Sequence, residues 1–204
     1  MREKVLIVSK TRMHNALCVG GLVLKNNRYV RLLNRGNKNQ PSDTDFEIGN
    51  VWDINFVNRN PLIFPHIEDI IVLDKIFIEN INSVLSFLQE KNIIDWAGHI
   101  DNLFDKKIKW SISGSGFIDE RDLPNRSVGF WKVDRELKKS GFDGKIRYYY
   151  PNEYNLRSLT FVGLIPAIDV IPAGTILRVS LARWWKKDEN TEKRCYLQLS
   201  GWYL

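Results

Sequence analysis

RVSLARWWKK at residues 178–187, followed after a polar break by RCYLQLSGW at residues 194–202, is the part of the sequence that decides the fold. Apolar and polar residues alternate along both segments, and a period of two indicates β-strands with one buried face. The two segments therefore predict a β-hairpin. Its core face comprises Leu177, Val179 and Leu181 on the first strand and Cys195, Leu197 and Leu199 on the return strand.

The opposite face of this predicted hairpin combines positive charge with aromatic rings. By the same alternation it carries Arg178, Ser180, Ala182 and Trp184, and across from them Arg194, Tyr196, Gln198, Ser200 and Trp202. Guanidinium groups pair with phosphates and indole or phenol rings stack on bases, so such a face is suited to nucleic acid. The alternative is that a neighbouring element buries the aromatic side chains, since Trp is usually largely buried.

Further strand patterns lie on both sides of a short helical region. Strands are predicted at 5–8, 17–33 (two strands around a turn at 25–28), 51–57 and 69–78, and again at 107–113, 127–133, 145–150, 159–164, 175–181 and 194–202. Gly20 and Gly21 interrupt one of these strands, which indicates a bulge or sharp bend of the kind that closes small barrels. The strand count predicts two small barrels, with a boundary near residue 105.

The helical region is predicted from a change of period. The apolar residues at i, i+3, i+4 and i+7 are Ile81, Val84, Leu85 and Leu88. This spacing predicts an amphipathic helix that Asn80 or Asn82 would cap. A second short helix is predicted after Asp95, with Trp96 on its core side. We expect the pair of helices to pack under or between the two sheets.

Composition limits the class of protein and the kind of ligand. The chain has 204 residues, 44% of them hydrophobic, and a formal net charge of +6, which excludes disorder and favours polyanionic partners. Cys18 and Cys195 are the only cysteines and no Cys/His pattern accompanies them, so no zinc site is expected. The apolar run at 5–8 is too short for a signal peptide or a membrane span. We therefore expect a cytoplasmic protein without a membrane partner.

A family resemblance rests on short motifs distributed along the chain. They are VLIVSKTR at 5–12, CVGG at 18–21, QPSDT at 40–44, GNVWDI at 49–54, PHIEDI at 65–70, SGSG at 113–116, SVGFW at 127–131, IPAGT at 171–175, SLARWW at 180–185 and LQLSGWY at 197–203. Through them the chain resembles the bacterial dual-OB-domain proteins over nearly its whole length. The resemblance implies two OB-like Greek-key barrels, in residues 1–105 with the helices and in residues 106–204. It also implies a nucleic-acid or nucleotide ligand and a place in bacterial antiviral defence, but it carries over no active residue.

A second basic cluster is predicted near the N-terminus. Lys10 and Arg12 follow the first strand, and Arg31 lies on the adjoining hairpin with a parity opposite to that of its apolar neighbours. These cations would form a phosphate track, although a solvated strand edge is the alternative. The complete set of predicted nucleic-acid-binding residues is Lys10, Arg12, Arg31, Arg178, Arg183, Trp184, Arg194 and Trp202.

The sequence gives less support for a catalytic site than for a nucleic-acid-binding site. In an extended segment His66 and Glu68 project to the same side, next to Asp69, as a general base or metal site would require. Further oxygen ligands for Mg²⁺ could come from Asp43, Asp45 and Asp53. No motif fixes these groups relative to one another, and no Ser or Cys lies in a nucleophile elbow.

Three functional hypotheses follow. The first is a non-catalytic protein that binds single-stranded DNA or RNA without a cofactor or metal and works beside a partner protein encoded nearby. The second is an adaptor or sensor that binds a partner protein or a small nucleotide, since protein interfaces favour the same exposed aromatic and Arg side chains. The third is a metal-dependent nuclease.

Overall fold

The computed structural model describes residues 1–142, 144–152 and 156–204. Strands make up 52% of the chain and helices 7%, which confirms the predicted mostly β class. Contacts divide the chain into two compact units, Met1–Ile93 and Ile94–Leu204. This division groups the second helical segment with the second unit, whereas the sequence-based limit at residue 105 groups it with the first. No helix in the described residues has the length and hydropathy of a bilayer span.

The first unit is a closed barrel. Its elements are β1 (Arg2–Met13), β2 (Ala16–Val23), β3 (Arg28–Leu33), β4 (Gln40–Pro41), β5 (Asn50–Asn58), β6 (Asp69–Asn80) and α1 (Val84–Glu90). Five strands close in the order β1-β2-β3-β6-β5-β1, and β4 adds to β2. Only the β3–β6 pair is parallel. A closed five-stranded Greek-key barrel is the OB architecture that the resemblance implied.

The glycine pair in β2 accompanies a bulge, but the extra residue lies on the opposing strand. Ile7 pairs with Gly21 and Ser9 with Gly20, so Val8 of β1 is the extra residue of the bulge. A Cβ on Gly21 would lie 2.5 Å from Cγ1 of Val5. The glycine therefore lets β1 cross β2 closely where the barrel bends.

Helix α1 begins later than the sequence predicts. Ser83, rather than Asn80 or Asn82, is the N-cap, and its hydroxyl accepts a 3.1 Å hydrogen bond from the Ser86 amide. Asn80 is still part of β6, where it pairs with Asn50. The strand thus extends to the residue that the prediction used as a cap, and in α1 only Leu88 is fully buried.

In its described residues the second unit contains ten strands and a 3₁₀ helix. They are β7 (Trp96–Gly98), the 3₁₀ helix (Ile100–Lys106), β8 (Lys109–Trp110), β9 (Gly116–Asp119), β10 (Val128–Val133), β11 (Leu137–Phe142), β12 (Lys145–Tyr150), β13 (Arg157–Phe161), β14 (Val170–Ile171), β15 (Ile176–Leu181) and β16 (Arg194–Tyr203). The main path runs β14-β11-β12-β13-β16-β15-β10-β7. If β10 and β11 are taken as one interrupted strand, these pairings repeat the cyclic order of the first unit, including its single parallel closing pair, here β13–β16.

The helix predicted after Asp95 is wrong at its start, although Trp96 is buried as expected. Trp96 lies in β7 and pairs in parallel with Trp131 of β10. Helical structure begins only at Ile100. A Cβ on Gly129 would lie 2.3 Å from the Trp96 ring, so this glycine provides the space that the indole fills. Tertiary packing against β10 overrides the helical spacing of the segment.

Candidate nucleic-acid interface

The C-terminal hairpin is formed by β15 and β16, which pair antiparallel. Its predicted core face is confirmed, since every member is at most 4% exposed. These residues are Leu177, Val179, Leu181, Cys195, Leu197 and Leu199. The outer face differs from the prediction at three places, and at two of them the cause is one extra residue in the ladder.

The first extra residue is Ser200 in β16. Arg178 pairs with Gly201 and Val179 pairs with Leu199, so Ser200 has no residue opposite it in β15. A bulge of this kind inverts the alternation beyond it. Trp202 consequently lies opposite Leu177, and its ring centroid is 5.0 Å from that of Phe161. The predicted outward position of Trp202 is therefore wrong, because the indole packs against the core.

Arg178 is also wrongly assigned to an accessible face. The residue is only 2% exposed, and its guanidinium carbon lies 4.9 Å from the centroid of the Phe130 ring. Its neighbours make β15 buried on both sides over most of its length. Arg178 is thus a structural residue of the sheet, and a ligand in solvent cannot reach it.

The second extra residue lies between Ala182 and Trp185. The Ala182 amide donates to the Tyr196 carbonyl at 2.7 Å, whereas Trp185 and Arg194 exchange backbone hydrogen bonds of 3.0 and 2.8 Å. The chain advances three residues from Ala182 to Trp185 while the opposite strand advances only two, from Tyr196 to Arg194. The extra residue brings Trp185, rather than Trp184, to the face of Arg194 and Tyr196. Trp185 is 53% exposed, whereas Trp184 is partly buried against the core.

These residues form a row of rings and cations, which we call the hairpin face. The Trp185 ring lies 6.0 Å from that of Tyr196, and the Tyr196 ring lies 6.2 Å from that of Phe117. The guanidinium carbon of Arg194 lies 3.9 Å from the Phe117 centroid. Strand β9 supplies Phe117, which pairs with Tyr196. The hairpin face thus comprises Phe117, Trp185, Arg194 and Tyr196, with the lysines that follow Trp185.

Lys186 and Lys187 extend the hairpin face with positive charge. Both are exposed, and neither forms an ion pair within the part of the chain that the structure describes. The half-buried Arg183 lies on the same segment. Ammonium groups beside an exposed indole can contact phosphates while a base stacks on the ring.

A buried carboxylate anchors the cations next to the hairpin face. Asp119, opposite Arg194 in the ladder, is 2% exposed and accepts 2.6 Å hydrogen bonds from Nη2 of Arg121 and Nζ of Lys109. Hydrogen bonds from Arg121 hold the pKa of Asp119 well below its usual range, although burial opposes them. Asp119 therefore remains an anion that orders two cations.

The ion pairs of Asp119 with Arg121 and Lys109 give a testable pH dependence of stability. A carboxyl whose pKa is lower in the folded than in the unfolded state stabilises the fold above the unfolded pKa of about 3.9, and this contribution is lost as pH falls towards the folded pKa. Asp119→Asn should lower the free energy of unfolding at pH 7 by about 1.5–3 kcal/mol, since it removes hydrogen bonds to charged groups. The difference from wild type should shrink below about pH 4. Urea denaturation of wild type and Asp119→Asn at pH 7 and below about pH 4 measures this difference in the free energy of unfolding. A difference that does not change with pH would contradict the lowered pKa of Asp119.

The predicted N-terminal track is only partly accessible. Lys10 is 8% exposed and its Nζ lies 2.7 Å from Oε1 of Glu47, so the expectation that it faces a ligand is wrong. Arg31 forms an ion pair with the buried Asp69, which Arg59 also contacts at 2.8 Å. Arg12 is exposed as predicted. The structure therefore leaves Arg12 as the available cation of that set.

The candidate catalytic cluster is buried. His66 is 0% exposed, Glu68 6% and Asp69 2%, which keeps all three side chains from a substrate in solvent. Asp45 forms an ion pair with Lys75, and Asp53 forms one with Arg2 at 3.4 Å. In the described ranges no three His, Cys, Asp or Glu side chains lie close enough to share a metal ion. His66, Glu68 and Asp69 therefore do not form an accessible catalytic or metal site.

Comparisons with known proteins identify a family but no ligand. A family model described as a dual OB-containing domain matches residues 3–202. Among solved structures, the chain is similar to the HINb domain of p204 (13% identity, TM-score 0.37, 98% of this chain and 96% of that one). It is also similar to the HINa domain of Ifi202 in complex with 20 bp dsDNA (9% identity, TM-score 0.37, 98% and 96%). Likenesses of this strength carry no argument about function. No curated protein matches the chain.

Proposed function

We propose that this protein, which belongs to the family with a dual OB-containing domain, is a non-catalytic nucleic-acid-binding protein that holds single-stranded DNA or RNA on its hairpin face. The observation that carries the proposal is the exposed Trp185 ring, which lies next to the Tyr196 ring and has cations beside it. Phe117 is only 6% exposed and supports the Arg194 guanidinium that lies over its ring. Rings and cations in one row are what single-strand binding requires. Of the sequence-predicted set, Arg183 and Arg194 remain in the proposed site, to which Trp185, Tyr196, Lys186 and Lys187 are added. Arg12 is exposed on the first unit and is not part of this site.

Single strands suit this surface better than a duplex. Stacking on Trp185 requires a base whose face is free, and in a duplex both faces are covered by neighbouring base pairs. The lysines can follow the backbone of a strand irrespective of its sequence. The contacts that define the proposed site come from rings and charges, so we propose binding with little sequence preference. A place in a bacterial defence system belongs to the same proposal and rests on the family resemblance. Action in the cytoplasm beside a partner protein is also part of the proposal.

Fluorescence anisotropy tests the proposed function directly. Labelled single-stranded DNA, single-stranded RNA and duplex DNA of equal length would be titrated at low and at physiological salt. We expect salt-sensitive binding to single strands and weaker binding to the duplex. Equal affinity for the duplex would remove the stacking role and leave only binding to the phosphate backbone. Failure to bind any of the three would favour the adaptor hypothesis.

The two lysines give a matched charge test. Replacing Lys186 and Lys187 together with Gln should reduce the slope of log affinity against log salt by about 0.7 for each phosphate that the variant no longer neutralises. The control is the pair Lys132→Gln and Lys145→Gln, which makes the same change of charge at exposed positions of the second unit. Equal effects in the two double variants would show that net charge, rather than the hairpin face, determines binding.

A further inference from the structure

Glu192 connects two guanidinium groups at the edge of the hairpin face. Its Oε1 accepts hydrogen bonds from Nε and Nη2 of Arg194 at 3.2 and 2.8 Å. Its Oε2 accepts one of 3.2 Å from Nη2 of Arg121. One carboxylate thus uses both oxygens to bridge two arginines that lie far apart in sequence.

Both arginines are held in place without Glu192. Nη2 of Arg121 lies 2.6 Å and its Nε 3.2 Å from Oδ2 of the buried Asp119. The guanidinium of Arg194 lies over the Phe117 ring. Removal of the Glu192 carboxylate would therefore leave two positioned guanidinium groups directed at the same point, and positioned groups lose little freedom when they bind a ligand.

We propose that Arg121 and Arg194 form a phosphate-binding site that Glu192 occupies in the free protein. A phosphate oxygen pair accepts hydrogen bonds from guanidinium in the same bidentate geometry as a carboxylate, with at least equal charge. Glu192 is 39% exposed at its side chain, on the loop that connects β15 and β16, so it can be displaced towards solvent. The inference rests on the proposed function, because it assigns a backbone phosphate to the edge of the same face.

Displacement of Glu192 has a measurable consequence. A phosphate that binds at this site must displace the Glu192 carboxylate. In the free protein the positive charges of Arg121 and Arg194 are therefore already partly neutralised. The released carboxylate also attracts a cation from solution, which reduces the net release of counterions. Glu192 should therefore lower both the affinity for a nucleic acid and the dependence of that affinity on salt.

Glu192→Gln tests this prediction with a matched control in the same loop. The amide keeps the shape of the side chain but removes its charge. Glu189→Gln makes the same change of charge at an exposed residue that forms no ion pair with the residues that the structure describes. Glu192→Gln should bind a labelled single-stranded oligonucleotide roughly three- to tenfold more tightly than wild type, with a salt slope steeper by about 0.7, whereas Glu189→Gln should change affinity less than about twofold.

A double-variant cycle attributes the gain to the proposed site. Arg121→Ala in the Glu192→Gln background should cancel the increase in affinity. Arg135→Ala in the same background should retain it, because Arg135 is an exposed arginine that donates to the Pro151 carbonyl rather than to Glu192. If both arginine variants behaved alike, the gain would come from total charge and the site would be disproved.

Inorganic phosphate distinguishes a free anion from a polynucleotide. A melting temperature of Glu192→Gln that rises with phosphate, without any oligonucleotide binding, would support the site while overturning the proposed function. Equal oligonucleotide affinities of Glu192→Gln and Glu189→Gln, with wild type also binding, would overturn the site alone. The absence of any response to phosphate or to oligonucleotides would overturn both.

Discussion

Trp185→Ala is expected to weaken the binding of a single-stranded oligonucleotide by about 1–3 kcal/mol, or roughly 5- to 150-fold. The indole is 53% exposed and is the most accessible ring on the hairpin face, with Tyr196 as its nearest aromatic neighbour. Its replacement removes the stacking surface and leaves the cations in place. The loss of affinity should therefore persist at high salt, unlike the loss caused by removing a lysine.

Trp184→Ala is the matched control for this substitution. Trp184 packs against the core of the second unit, so its loss should lower stability more than it lowers affinity. Anisotropy titrations and thermal melts of the two variants separate these effects. Wild-type affinity in a folded Trp185→Ala protein would contradict the placement of the site on this ring.

The largest expected effect on stability comes from Trp131→Ala. Trp131 is 0% exposed, belongs to the core of the second unit and donates a 2.8 Å hydrogen bond from Nε1 to the Gly98 carbonyl. Large-to-small substitutions of this kind leave a cavity and cost about 3–5 kcal/mol. The loss of the donor also leaves the Gly98 carbonyl without this partner. We expect a lower midpoint of chemical denaturation and, at ordinary temperatures, partial unfolding of the second unit.

Trp185→Ala serves as the reference for this measurement as well. Because the Trp185 ring is exposed, the free energy of unfolding of Trp185→Ala should remain within about 0.5 kcal/mol of wild type. A Trp131→Ala protein as stable as Trp185→Ala would mean that the packing around β10 is not as tight as the structure has it. The two tryptophans thus separate a residue of the core from a residue of the surface.

The sequence predicts the core of the hairpin well because its period of two is local. Leu177 to Leu181 and Cys195 to Leu199 alternate without interruption, and each inward position is buried. The outer face fails because an extra residue in a strand becomes visible only when the partner strand is known. The extra residue Ser200 places Trp202 on the core side of the sheet. The extra residue between Ala182 and Trp185 places Trp185, rather than Trp184, on the outer face.

The sequence could not predict the part of the site contributed by β9. SGSG at 113–116 is typical of a turn, and the four-residue strand that follows is too short to show a period. Phe117 and Asp119 gain their roles only through pairing with β16, far along the chain. The basic residues near the N-terminus show the converse error, since an apparent cation track contains Lys10, which is buried in an ion pair.

Photo-crosslinking is the most direct test of the central claim that the hairpin face holds nucleic acid. A single-stranded oligonucleotide carrying photoactivatable thymine analogues would be irradiated with the full chain, and the crosslinked peptides would be mapped by mass spectrometry. We predict crosslinks to Trp185 and Tyr196, and their loss from the Trp185 position in Trp185→Ala. Crosslinks confined to the first unit, between Met1 and Ile93, would contradict the assignment of the site.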